Sequence, residues 1–103
     1  MSPEQCSQSQ VDHRSDLYSL GGTFHHLLVS QPPYPGRPKL HDLLHAHRED
    51  PVPDPLSIDP QLPPDCATIV RMAMAKDPTQ RYQSATQMRQ DLAWLSELAQ
   101  RTN

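Results

Sequence analysis

The placement of proline constrains this chain more than any other feature. Twelve of its 103 residues are proline, and six of them, Pro51, Pro53, Pro55, Pro60, Pro63 and Pro64, fall close together. Proline has no backbone N–H and a fixed φ, so such a run is excluded from a helix interior or a central strand. Residues 49–63 therefore read as a proline-rich loop, ordered or mobile. Pro32-Pro33 and Asp77-Pro78 set further breaks, because proline disfavours helical geometry in the residue before it. The chain has to be assembled from helical blocks separated by proline turns.

Residues 1–14 are polar and without a sustained period, so they read as a loop with a short turn over Pro3–Cys6. Ser15 is a candidate cap for a helix starting at Asp16, whose charge suits the positive end of the helix dipole. Leu17, Leu20, Gly21, Phe24, Leu27 and Leu28 recur at three- and four-residue spacing, which predicts a helix over 15–31. A turn at Pro33–Gly36 leads to a short helix over 39–48, with Leu40, Leu43, Leu44 and His47 on its apolar side. Pro64-Asp65 opens a helix over 64–76, with Ala67, Ile69, Val70, Ala73 and Met74 inward and Lys76 at its carboxyl end. Ser84-Ala85-Thr86-Gln87 has the form of a capping box. It starts a helix over 84–100 whose stripe is Ala85, Met88, Leu92, Leu95 and Ala99, with Trp94 and Leu98 as a second apolar edge. No alternating strand pattern appears, so the expected fold is all-α with four main helices.

Composition removes several functions. A formal net charge of −3 offers no basic footprint for nucleic acid, and no basic amphipathic face suits an anionic membrane. The apolar runs at Ile69-Val70 and Met72–Ala75 are too short to span a bilayer. Met1-Ser2-Pro3-Glu4 lacks the basic start and apolar core of a secretion signal, so a cytoplasmic location is expected. Cys6 and Cys66 read as reduced thiols, Cys66 on the buried side of a helix. His41 and His45 have two-ligand spacing, and His47 or Glu49 would be the third ligand. With no H-E-x-x-H and no second cluster, however, the four ligands of a closed zinc site are not assembled. No metal site is expected, and nothing like G-x-S-x-G positions a serine nucleophile.

Gly21-Gly22 interrupt an otherwise apolar helix, each at a cost of roughly 1 kcal/mol relative to alanine. Either another backbone approaches closely there, or the helix is weak or kinked at that point. In context, Asp16-Leu17-Tyr18-Ser19-Leu20-Gly21 resembles the D-x-W-S-x-G central helix (helix F) of the protein kinase large lobe, with Tyr18 in the tryptophan position. Ser2-Pro3-Glu4 resembles the kinase A-P-E motif, Pro32-Pro33-Tyr34 is similar to P-P-F, and Lys76-Asp77-Pro78-Thr79-Gln80-Arg81-Tyr82 carries a late-lobe arginine. In this order, from Ser2 to about Leu95, the motifs resemble the C-terminal part of the large lobe of a bacterial eukaryotic-like serine/threonine protein kinase. Residues 1–14 would end the activation segment, and helices F, G, H and I would follow.

The resemblance implies that Glu4 and Arg81 form a buried ion pair. It also implies that Asp16 accepts hydrogen bonds from a catalytic H-R-D loop, although Asp16 can equally serve its own helix end. Gly21 belongs to the same motif. Thr23 and Leu27 stand where kinases anchor an apolar column reaching the adenine ring, or are simply core. His26 occupies a position often held by an acidic residue that greets basic substrates. It is a candidate substrate-side residue and a departure from basic-substrate preference. The family uses ATP and magnesium, but its glycine-rich loop, strand lysine and two catalytic aspartates would all precede Met1, itself standing where kinases commonly read Tyr-Met-Ser-Pro-Glu. The chain is thus expected to carry no catalytic, cofactor-binding or metal residue and to be inactive alone. The alternative is a stand-alone interaction module. Its Leu17–Leu28 helix would bind the missing kinase half, another protein or a second copy, with no role for nucleic acid or membrane.

Overall fold

A computed structural model describes residues 2–6 and 12–101, with backbone only for Cys6 and residues 98–101. The Cys6 thiol and the inward positions expected of Leu98 and Ala99 lie outside the described residues. Among the described residues six α-helices follow one another: α1 Pro3–Cys6, α2 His13–Val29, α3 Leu40–Glu49, α4 Pro55–Ile58, α5 Pro64–Ala73 and α6 Ala85–Arg101. A 3-10 turn, Pro78–Gln80, joins the last two. The described residues contain no strand, so the all-α class is observed. Two of the six helices are single turns.

The core lies where α2 crosses α5. Leu17, Ile69, Ala73, Tyr82 and Met88 form one buried cluster, with Phe24, Leu92 and Leu95 packed on it. Tyr18, Val70 and Met74 form a second, flanked by Phe24, Leu28 and Val52. All five residues expected to point inward from α5 are buried, and so is Cys66. Gly21 explains how close the crossing is. A Cβ added there would lie 2.6 Å from the Ala73 Cβ, so the backbone-approach reading of this glycine holds. The Cα trace measures 43 × 29 × 15 Å. With helix axes packing about 8–10 Å apart and Cα atoms about 2.3 Å from each axis, the thin dimension holds two helix layers, and apolar residues on the outer faces meet solvent. Leu20 is 49% and Leu27 78% exposed.

Several boundaries move for physical reasons. Helix α2 begins at His13, with the Asp12 carboxylate accepting from the Arg14 N–H. Ser15 is not its cap, because its hydroxyl donates to Glu4 instead. At the other end Ser30 takes the left-handed conformation, φ 60°, and its N–H reaches the His26 carbonyl. Helix α5 stops at Ala73 instead of Lys76, and beyond its end the Ala75 and Lys76 carbonyls accept from the Arg81 guanidinium. The proline-rich loop contains a helical turn after all. Pro55 occupies the first helical position, where a missing N–H costs nothing, and Asp54 caps Leu56. At α6 the Ser84 hydroxyl accepts from the Gln87 N–H, while the Gln87 side chain accepts from the N–H of Gln83, one residue before the cap.

Candidate functional site

Arg81 is the organising residue. It is 1% exposed, and each of its five N–H donors finds an acceptor. Nη1 and Nη2 donate to the two carboxylate oxygens of Glu4, both at 2.6 Å. The remaining donors go to the carbonyls of Ala75 at 2.6 Å, Arg14 at 3.1 Å and Lys76 at 3.2 Å. The guanidinium also lies 4.9 Å from the Tyr18 ring centroid, within cation–π range. Glu4 receives a further hydrogen bond from the Ser15 hydroxyl at 2.5 Å. Burial by itself would raise the Glu4 pKa, but the Arg81 and Ser15 hydrogen bonds outweigh it and hold the carboxyl at about 2. Three separated pieces of chain, α1, the first turn of α2 and the segment before α6, are thereby tied at one point.

A second polar junction lies behind Tyr18, and the sequence reading did not anticipate it. Lys76 Nζ donates to the Tyr34 hydroxyl at 2.7 Å and to the His47 and Ala46 carbonyls at 2.8 and 3.2 Å. A lysine placed after α5 therefore serves the carboxyl end of α3, where a positive charge is favoured by the dipole. The Tyr18 hydroxyl and His47 Nδ1 are 2.8 Å apart. Burial, reinforced by the Lys76 charge, pushes the His47 pKa down to about 4, so the imidazole is neutral at pH 7. Lysine near a helix end was the available clue, but nothing in the spacing says which helix it serves.

Beside this junction an open cavity of about 330 Å³ is lined by Tyr18, Ser19, Thr23, His26 and His47, among others. Gly22 and Pro33 complete its wall. His26 is exposed there, and the Thr23 hydroxyl is turned back to the Ser19 carbonyl at 3.2 Å. Among the described residues the cavity wall carries hydroxyls and imidazoles and no carboxylate. Asp16 is elsewhere: it is exposed on the first turn of α2 and has no hydrogen-bond or ion-pair partner among the described residues. The structure thus joins Glu4 to Arg81, puts Gly21 under α5, leaves Asp16 at the surface and sets His26 on a cavity. His25, which the sequence reading passed over, is buried with neither ring nitrogen in hydrogen-bond geometry. Burial lowers its pKa, opposed by the nearby Gln31 backbone. His41 and His45 are exposed, and the described residues contain no group of three or more His, Cys, Asp or Glu placed to hold a metal.

Known proteins show the same pattern. The chain is 44% identical over 92 residues to a probable serine/threonine-protein kinase, SCO3848, of Streptomyces coelicolor. It is 41% identical over 92 residues to the serine/threonine-protein kinase PknB of Mycobacterium tuberculosis. Each match takes in 89% of this chain and 14% of the relative. The chain is homologous to a segment of the bacterial serine/threonine protein kinases. PknH of Mycobacterium bovis extends the set at 36% identity over 85 residues, 82% of this chain and 14% of that kinase. No family model matches. The chain thus spans about one-seventh of the length of these kinases. Its all-helical architecture and its motif order agree with the C-terminal part of the kinase large lobe. No helix among the described residues is long and apolar enough to cross a membrane.

Proposed function

We propose that this kinase-related segment is the substrate-side helical platform of a serine/threonine kinase catalytic domain, and that these 103 residues alone neither bind ATP nor transfer phosphate. The parent reaction would be ATP-dependent, magnesium-assisted phosphorylation of protein serine or threonine. One observation carries the second half of the reading: the chemistry-bearing motifs have no place in this sequence. Its three glycines, Gly21, Gly22 and Gly36, cannot supply a glycine-rich phosphate loop, and its single phenylalanine, Phe24, is not part of a D-F-G. Phosphoryl transfer depends on those groups to position the phosphates and the metal. What the segment does supply is a rigid base, tied by Glu4 and Arg81, and a cavity at His26 where a substrate segment would rest.

The deciding measurement is ATP binding by calorimetry together with phosphotransfer to a generic protein substrate, using the purified chain with magnesium. Neither should be detectable. Turnover that co-purifies with the chain through successive columns would overturn the reading.

The exposure of Leu20 and Leu27 on one side of α2 favours a second reading, a stand-alone module that self-associates or docks through this face. Sedimentation at rising concentration should then show dimers that Leu27→Glu disperses. A monodisperse monomer that binds no apolar dye would exclude it.

A further inference from the structure

The face of α2 covered by the proline-rich stretch carries a titratable group that belongs to neither polar junction. Tyr18, Gly21, His25 and Leu28 recur along this face at three- and four-residue steps, and the first three are buried. Against it, Val52 and Leu28 pack on the cluster of Tyr18, Val70 and Met74. Pro55 is fully buried, and α4 rests on both α2 and α5. His25 is 1% exposed, with neither Nδ1 nor Nε2 in hydrogen-bond geometry. Aromatic bulk alone does not call for histidine here, because phenylalanine fills the space and buries no unmet nitrogen.

The covering stretch is held down by packing. Among the described residues, the hydrogen bonds of residues 52–62 begin and end within that stretch. Leu56 and Ser57 donate to Asp54, Asp59 donates to Pro55, and Gln61 and Leu62 donate to Asp59. Pro53, Pro55 and Pro60 fix φ at three points, so the stretch is stiff. Its ends are anchored separately, by the Tyr34 hydroxyl on the Pro51 carbonyl at 3.1 Å and by the start of α5 at Pro64. A segment tied to its neighbours by side-chain contacts alone is among the first to open locally.

The charged surroundings of His25 are mixed. On α2, His26 opposes a second positive charge, whereas the Gln31 backbone and the Asp54 carboxylate before α4 favour one. On α5, Arg71 shares a cleft of about 70 Å³ with Val52, Pro53, Asp54 and Ala67. Burial outweighs the favourable groups and lowers the His25 pKa. Lifting the stretch returns the imidazole to water and to its ordinary value of 6.5. The lifted form therefore binds the proton more tightly, and acid favours it. We infer that His25 is a proton-operated latch: protonation of its imidazole releases residues 52–62 from α2 as a unit, while the α2–α5 crossing at Gly21 stays closed. The release uncovers an apolar face at Tyr18, Val70 and Met74. Nothing in this inference rests on the kinase reading.

Methyl NMR of the whole chain reads the latch and the crossing at once. Val52 packs on the Tyr18 cluster, and Ile69 belongs to the Leu17 cluster on the other side. The titration runs from about pH 7 to about pH 5, the range in which histidine changes charge. The Val52 methyl signals should move to disordered-chain positions with a midpoint below 6.5, shared with the His25 ring protons, while Ile69 stays in place. His25→Phe and His25→Gln should each abolish the Val52 movement. His47→Phe, which removes a second buried imidazole, should leave it. Should neither His25 variant fold, the shared midpoint in the parent chain decides. Five results would overturn the proposal: Val52 signals that stay still, joint movement of Val52 and Ile69, a Val52 midpoint that departs from that of the His25 ring, a response that survives both His25 substitutions, or its loss in His47→Phe.

Discussion

Two ion pairs stand within one helical turn of each other at the start of α2, and they are built on opposite principles. Asp12–Arg14 is local and exposed, closed at 2.8 Å between residues two apart. Glu4–Arg81 is buried and joins residues 77 positions apart. Both carboxyls are held at about 2, Asp12 by the Arg14 hydrogen bond and Glu4 by Arg81 and Ser15 against the opposing effect of burial. The same pKa therefore describes two different energetic situations. Around Asp12, water replaces whatever a mutation removes. Around Glu4 nothing does, and the remaining partner is left as a stranded charge. A depressed pKa reports local attraction, and burial decides what losing that attraction costs.

The most severe way to test this contrast is Arg81→Ala, which leaves Glu4 buried without its cation. A loss of about 3–5 kcal/mol is expected, as for other broken buried pairs. In a chain this small that is enough to abolish the cooperative thermal transition, and calorimetry reads it directly. Arg89→Ala, on the exposed side of α6, should leave the transition where it was. Equal small shifts for both would remove the junction from the account.

Acid titration asks the same question without mutation. Glu4 has a folded pKa depressed to about 2 from 4.5. Its contribution is present above the unfolded value and is lost as pH falls from about 4.5 towards 2. At about 1.4 kcal/mol per pKa unit this is at most about 3 kcal/mol. His47, depressed to about 4 from 6.5, is neutral when folded, so its contribution is lost earlier, as pH falls from 6.5 towards 4. Circular dichroism should show stability eroding in two successive windows. His47→Phe should shrink the upper window, to which buried His25 also contributes, and leave the lower, and an upper window of unchanged depth in that variant would refute the assignment.

Gly21→Ala sharpens the comparison from the apolar side of the same helix. The new methyl would meet the Ala73 Cβ at 2.6 Å, and overpacking of this kind costs about 1–3 kcal/mol. The denaturant midpoint should fall with an unchanged slope. Gly22→Ala meets the Pro33 ring at 3.4 Å and the flexible end of Met74 at 4.0 Å and should be milder. A Gly21→Ala chain as stable as its parent would mean that α2 and α5 are not in close contact.

The smallest effect belongs to the exposed pair. Arg14→Ala should shift the thermal midpoint far less than Arg81→Ala, and raising the salt concentration should erase what difference there is, because solvated charges are screened while buried ones are not.

Much of the helical content could be read from the sequence. Helix α5 was legible because Pro64 starts it and its inward residues repeat at helical spacing, both local facts. The Ser84–Gln87 capping box was legible for the same reason. The site was less so. The spacing within the chain gives no reason to pair Glu4 with Arg81. That expectation came through resemblance to kinases, and the 2.6 Å contacts belong to the fold. Ser15 was the cap expected from the sequence, and local preference gives no reason to pass it over for Asp12, a residue type that caps equally well. The choice fell to Asp12 because the Ser15 hydroxyl is engaged by a carboxylate from another part of the chain. His25 and Tyr18 illustrate the same limit. Helical periodicity marks which residues share a face, but which face becomes interior depends on what packs against it.

By itself, then, the amino-acid order determined where helices can exist, because proline, capping residues and the 3.6-residue repeat act over a few positions. Which carbonyls Lys76 and Arg81 satisfy, and which leucines of α2 remain in water, was decided only when distant segments met. A charged or apolar side chain gains its energetic meaning from the surroundings that replace solvent, and those surroundings are assembled from residues far away in the chain.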